Sequence, residues 1–174
     1  MTIKTIIAEP NKILRQKSLP VKNVGKEEQN IMNDMLDTMY NANGIGLAAI
    51  QIGIPKRIIV LDISKEEGKK NPMYFVNPEI KNKNSINSTY EEGCLSVPNY
   101  FAEIERPKTC EVEFLDYYGN EKKIKAEGLL STCIQHEMDH LEGILFIDYL
   151  SKLKKTMIVK KLSKQKSRPD RIIV

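Results

Sequence analysis

Long apolar runs, histidines and cysteines are all scarce in this chain, and each scarcity narrows what it can do. No run approaches the ~18 apolar residues of a membrane-spanning helix, so no membrane partner is expected. The leading stretch Met1–Pro10 is broken by polar residues and proline too soon for a secretory signal, and it lacks the Arg- and Ser-rich character of a transit peptide. Cysteines number three, an odd count in a chain without an export signal. That favours free thiols in a reducing cytoplasm over disulfides. No Gly-Lys-Ser/Thr follows the glycine cluster at 44–53, which excludes a phosphate loop. There is no internal repeat. Histidines number two, and both lie in one short stretch.

That stretch is Gln135-His136-Glu137-Met138-Asp139-His140-Leu141. On a helix, His136 and His140 share one face one turn apart, where two nitrogens can reach one metal ion. Glu137, beside the first histidine, can reach a water at that metal. This is the His-Glu-x-x-His arrangement of metal-assisted hydrolysis. A catalytic zinc-type site also needs a third protein ligand and an open position. A metzincin would carry histidine at 146, where this chain has Phe146. A thermolysin-type site needs a downstream glutamate, and none follows Glu142, which is itself too close. The zinc-endopeptidase reading therefore lacks its third ligand. The remaining soft donors are the cysteines. Cys133 lies one helical turn before His136 on an apolar face, and Cys110 precedes a strand. Cys94 sits in Glu91–Pro98, where Gly93 allows an unusual backbone and the Leu95 N–H could point at the same site.

At 174 residues and 41% hydrophobic, the chain is expected to form one catalytic domain over residues 1–174. Lys26–Asn41 reads as a first helix with a methionine stripe (Met32, Met35, Met39), ended by Asn43-Gly44. Strands are expected at 57–63 and 73–76 around a polar loop at 64–71, and 81–88 reads as a polar loop with three asparagines. Residues 111–118 and 122–126 read as a hairpin turning at Gly119-Asn120. A second helix from Gly128 to Gly143 is apolar on two faces and should be central. A third, about 148–163, is amphipathic through Leu150, Leu153, Met157, Ile158 and Leu162. The fold class is α+β: antiparallel sheets and hairpins packed around the central helix that carries the His-Glu-x-x-His motif, with a C-terminal amphipathic helix.

The stretch Gly44–Gly53 is apolar except for Gln51. Its glycines and alanines leave the backbone bare, suiting either a substrate main chain or tight packing. Charge is uneven. Residues 151–174 hold nine Lys/Arg and one acid, a net +8, on a body of 18 basic and 22 acidic residues, a net −4.

Gly44–Gln51 (Gly-x-Gly-Leu-Ala-Ala-x-Gln), Glu92–Ser96 (Glu-Gly-Cys-Leu-Ser) and Gln135–His140 (Gln-His-Glu-x-Asp-His) occur in this order. Together they make the chain resemble peptide deformylases of the bacterial type, over nearly its whole length. The resemblance implies a metal-dependent hydrolase that removes the formyl group from N-formylmethionine of new polypeptides, releasing formate. It implies Cys94, His136 and His140 as metal ligands, Glu137 as general acid/base, and Gln51 with the Leu95 N–H as the oxyanion hole. Gly46 would offer backbone to the peptide, and Ile45, Leu129 and Cys133 would line the methionine pocket. It also implies ferrous iron (Fe2+) in the cell, with Zn2+, Ni2+ or Co2+ as substitutes, since a thiolate suits several of these metals. Formyl-methionyl nascent peptides would be the partners, with the ribosome reached through the basic C-terminal tail and no sequence-specific nucleic acid recognised. A different reading, a ribosome- or RNA-binding module with a structural metal, would need a fourth ligand, for which only Cys133 is at hand. The resemblance departs at Phe101, seven residues after Cys94, where many relatives have arginine. The next arginine, Arg106, precedes Pro107 and is not expected to reach the cleft.

Overall fold

The structure, a computed structural model, describes residues 2–64 and 69–166, with side chains through 164. Part of the polar loop expected at 64–71 and the distal charges Arg168, Asp170 and Arg171 lie outside the described residues.

Helix α1 spans Lys26–Asn41. Glu28 reaches back to accept from the Gly25 N–H (3.1 Å), satisfying one of the orphan donors at the helix start. At the other end Asn43 takes the left-handed conformation (φ 54), and the Gly44 N–H returns to the Met39 carbonyl, so the expected stop is observed.

Five antiparallel strands form the main sheet: β1 Gly46–Ala48, β2 Ile58–Leu61, β3 Met73–Lys83, β6 Thr109–Leu115 and β7 Glu121–Glu127. They stand in the order β1-β2-β3-β6-β7, and β4 Asn87–Cys94 with β5 Val97–Pro107 makes a separate two-stranded sheet. The expected hairpin is β6–β7, registered from Thr109↔Glu127 to Leu115↔Glu121. Its turn is held by Asp116, whose carboxylate accepts from the Tyr118 and Asn120 N–H groups, with Gly119 left-handed (φ 84). Cys110 does not precede the strand but lies within it, opposite Ala126.

Of residues 81–88, only 84–86 form the loop their polarity suggested. β3 continues to Lys83, paired with Cys110 of β6, and β4 begins at Asn87. The asparagines serve the structure instead. Asn82 bonds Glu111 across the strands, and the Asn84 side chain accepts from the Ile86 N–H to make the turn.

The main sheet is buried on both faces at β2. Along β2, Ile59 and Leu61 face one cluster with Cys133, Ile134 and Leu141, whereas Ile58 and Val60 face Met32, Met35 and Met39 of α1. Each fully buried aliphatic contributes about 1.5–3 kcal/mol, which is why a four-residue run without a polar position is stable here. Helix α2, Gly128–Leu141, lies between this sheet and the β4–β5 pair, as its two apolar faces require. It ends at a left-handed Gly143 (φ 74), where a Cβ would stand 2.5 Å from the Arg15 carbonyl oxygen.

The third helix starts later than expected. Phe146–Tyr149 forms a short 3-10 turn, and helix α3 runs Lys152–Lys166. Asp148 is taken up by the turn, accepting from the Leu145 N–H and pairing with Arg15. Consequently α3 docks through Ile158, Val159 and Leu162, and Leu153 and Met157 of the expected stripe are exposed (71% and 51%). The fold is α+β, with antiparallel sheets and three α-helices among the described residues.

The leading segment is stitched into this frame. Ile7 N–H donates to the Gln51 carbonyl and Glu9 N–H to the Ser96 carbonyl, while the Arg15 guanidinium joins Glu9 to Asp148.

Candidate metal centre and substrate cleft

α2 carries His136 and His140 on one face, with ring centroids 5.1 Å apart. Cys94 arrives from elsewhere, at the end of β4 where the chain turns into β5, and its Sγ lies 3.3 Å from His140 Nε2. Ligand atoms of Cys94, His136 and His140 all lie within 4.8 Å of one another. One thiolate and two imidazoles, with a fourth direction open to a cleft, is a donor set suited to Zn2+ or Fe2+. Burial, with the Arg106 and Arg15 guanidiniums adding to it, pushes the His140 pKa well below the usual value, so the ring is neutral with a lone pair to give. Cys133 stands outside the cluster, in the cleft wall. Burial pushes its thiol up to about 12, so it stays protonated and acts as an apolar surface. A closed four-ligand structural site is therefore not formed among the described residues.

Sequence reasoning assigned no part to Glu92, Arg106 and Asp139, which form the support of the site. Glu92 Oε2 is 2.8 Å from His136 Nδ1. A carboxylate only accepts, so the ring donates from Nδ1 and keeps Nε2 free for a metal. Arg106 grips Glu92 with two hydrogen bonds (2.5 and 3.0 Å) and reaches Asp139 with a third (2.8 Å). The Tyr149 hydroxyl donates to the same Asp139 oxygen. Arg106 thus stays out of the cleft, as expected, but lies behind His136, 4% exposed and fully paired. Phe146, which stands where a metzincin would have histidine, stacks beside the His136 ring at 6.3 Å.

The cleft has a volume of about 520 Å³. All the residues singled out from the sequence line it except His140, which is fully buried behind them. Gln51 sits on a 3-10 turn, Ala49–Ile52. Its Oε1 accepts from the Ala48 N–H (2.8 Å), which orients the amide so that Nε2 faces Ser96 Oγ (3.1 Å) and Cys94 Sγ (3.6 Å). Leu95 directly follows Cys94, its side chain filling the space a Cβ on Gly44 would need, 2.7 Å from Cδ1. Gly46 is bare for a related reason: a Cβ there would collide with Glu137 Oε1 and meet Leu61 Cδ2 at 2.9 Å.

Glu137 lines the cleft with its Oε2 buried and without a hydrogen-bond partner among the described residues. Burial, with Glu92 and Asp139 adding to it, pushes its carboxyl up to about 7. A buried carboxylate oxygen without a partner beside three metal-type donors is the place for a water that a metal would hold. Phe101 is neither buried on its strand nor remote from the cleft. It lies opposite Gly93, is 68% exposed, and its ring covers Gly93 so closely that a Cβ there would be 2.5 Å from Cε1.

Among known proteins, the family model for polypeptide deformylase matches residues 3–156. A peptide deformylase of Pelagibacter ubique is 73% identical over 174 residues, covering all of both chains. One from Rhizobium meliloti is 53% identical over 164 residues, 94% of each chain. A crystal structure of peptide deformylase from Ehrlichia chaffeensis superposes with a TM-score of 0.90 at 38% identity, covering 95% of this chain and 97% of that one. A second from that organism, in complex with actinonin, gives 0.92 at 41% identity, covering 97% and 100%. On this evidence the chain belongs to the polypeptide deformylase family, metal-dependent hydrolases whose reaction is the deformylation of N-formylmethionyl peptides.

Proposed function

We propose that residues 1–174 act as one catalytic domain in which Cys94, His136 and His140 hold the metal and Glu137 moves the protons. The observation that carries this reading is the unpartnered, buried Oε2 of Glu137 beside those three donors. When bound, the divalent metal supplies Lewis acidity, lowering the pKa of water at the site. Glu137 takes a proton from the attacking water as the C–O bond to the formyl carbon forms. Negative charge then builds on the formyl oxygen, where Gln51 Nε2 and the Leu95 N–H donate to it. Glu137 returns the proton to the amine nitrogen as the C–N bond breaks, leaving formate and a free methionyl N-terminus. The small formyl group fits against the crowded wall made by Gly46, Gln51 and Leu95, and the methionine side chain lies between Ile45, Leu129 and Cys133. Among the described residues β1 pairs only with β2, so its Gly46 edge is open to the substrate main chain.

Ferrous iron is the proposed metal in the cell, with zinc, nickel or cobalt able to replace it, and the protein works in the bacterial cytoplasm. Glu137→Gln should keep full metal content and lose nearly all formate release from formyl-Met-Ala-Ser. Loss of metal together with activity would show that Glu137 is a ligand instead. Actinonin, present in the Ehrlichia chaffeensis crystal, is expected to compete with the peptide.

α3 is proposed to dock the enzyme on the ribosome. Lys152, Lys154, Lys160 and Lys161 are exposed along it, whereas Lys155 is engaged by Asp148 at 2.6 Å. Ribosome pelleting of the full chain and of a chain ending at Ser163 should differ, with a shallower salt slope for the shorter one. Identical pelleting would assign the distal charges to solubility.

A further inference from the structure

The cleft does not end at Phe101. A second groove of about 530 Å³ adjoins it, sharing Tyr100 and Phe101 as the boundary. Phe101, Ala102 and Glu103 of β5 form one wall, and Lys154, Met157 and Lys161 of α3 form the other. Single exposed apolar side chains are ordinary on a protein surface. Here two of them, Phe101 and Met157, face one trough from opposite elements, 68% and 51% exposed.

The ladder shows how the boundary is built. Cys94 pairs with Val97, but the next residue back, Gly93, pairs with Phe101. Pro98–Tyr100 therefore loop out, with Asn99 left-handed (φ 65). That places the Phe101 ring over Gly93, at the junction of cleft and groove. Beyond it, β5 pairs only with β4, so its edge on the other side has no strand neighbour among the described residues. An open edge beside an apolar trough is a template for an extended chain.

We propose that this groove binds the downstream part of the substrate polypeptide as an extended segment, favouring apolar and acidic side chains. The proposal rests on the deformylase reading, because that substrate must continue past its formylated methionine. Continuity with the catalytic cleft identifies the occupant. The span agrees: Glu103 stands opposite Glu91, three residues along β4 from Cys94, which is about 10 Å. An extended chain covers that distance in about three residues. Apolar side chains would lie on Phe101 and Met157. Lys154 and Lys161 outnumber Glu103 among the charged lining residues, so acidic side chains are favoured and basic ones are not.

The test uses free peptides without ribosomes. Formyl-Met-Ala-Ser is compared with three octapeptides that share those first residues and continue with Leu/Glu, Leu/Lys or Gly/Ser. For the unmodified protein, kcat/KM should be about fivefold higher for the Leu/Glu octapeptide than for the tripeptide, chiefly through KM, with Leu/Lys well below Leu/Glu. Lys154→Glu/Lys161→Glu should reverse the Glu-over-Lys preference, and Met157→Gln should reduce the gain from leucine. Both variants should turn over the tripeptide as the parent does. Equal kcat/KM for tripeptide and octapeptides, or a length effect unchanged in both variants, would overturn the proposal. Failure of the unmodified, metal-loaded protein to release formate from any of the peptides would instead overturn the deformylase reading, and the groove's role with it.

Discussion

Replacing Gly46 by alanine tests the site at its tightest point. The added methyl would stand 2.9 Å from Leu61 Cδ2 and closer still to Glu137 Oε1, where ordinary contacts begin near 3.4 Å. Leu61 must yield by about half an ångström and Glu137 by about 1 Å. Leu61 is fully buried against α2, so the carboxylate is the part that moves. A displacement of about 1 Å in a reacting group lowers turnover about 100-fold, roughly 2.7 kcal/mol of barrier. Overpacking of this kind costs about 1–3 kcal/mol of stability, several degrees in Tm for a chain of this size. Steady-state formate release, metal analysis and a thermal melt on one preparation separate these effects. The expectation is a kcat about 100-fold down, unchanged metal content and a modestly lower Tm. A variant with parental kcat would refute the reasoning, because it would show that Glu137 need not occupy the space above residue 46. Loss of metal would refute it differently, placing the strain on the histidines.

Two other substitutions probe the frame. Glu92→Gln leaves a neutral partner for His136 Nδ1 and leaves the buried Arg106 with Asp139 as its one carboxylate among the described residues, so metal affinity should fall about 10–100-fold in a chelator competition, and unchanged affinity would count against the supporting role. Asp148 is partly buried, which would raise its pKa, but the Leu145 N–H, Lys155 and Arg15 outweigh that and hold its carboxyl below the usual range. Its contribution is therefore present above about pH 4 and is lost as pH falls through the lowered folded value. Asp148→Asn should accordingly melt below the parent at pH 7, with the gap closing as the pH of the melt falls below about 4; a gap independent of pH would contradict the assignment.

The local part of the site was readable because it is periodic. His136 and His140 stand one helical turn apart, and a helix turns that spacing into one face whatever surrounds it. Cys94 was different, since it lies 46 residues from His140 and is joined to it only by the tertiary fold; of three thiols in the sequence, only resemblance selected it. Glu92, Arg106 and Asp139 were quoted or passed over without a role for the same reason. A carboxylate beside a glycine carries no mark that it will reach a histidine 44 residues away. The misread loop at 81–88 shows the opposite hazard. Its asparagines looked like punctuation, but pairing with β6 overrode their preference and left them to make cross-strand and turn bonds. In α3 both the start and the stripe differed from expectation: the docking face runs through Ile158, Val159 and Leu162, and Leu153 and Met157, assigned to the core, are surface.

The stitching of the leading segment bears on how the protein can be handled and altered. Residues 7 and 9 hold the backbones of Gln51, whose amide would meet the formyl oxygen, and of Ser96, which follows Leu95. Arg15 then fastens the same segment to Asp148 and to the Gly143 carbonyl at the end of α2. Residues 7–15 therefore behave as a clasp that ties the Gln51 turn and the β4–β5 turn to the chain that follows α2. Deleting residues 2–9 would loosen the oxyanion side of the cleft without touching any residue that meets substrate. Homologues that vary in this stretch would be expected to differ in turnover before they differ in what they bind.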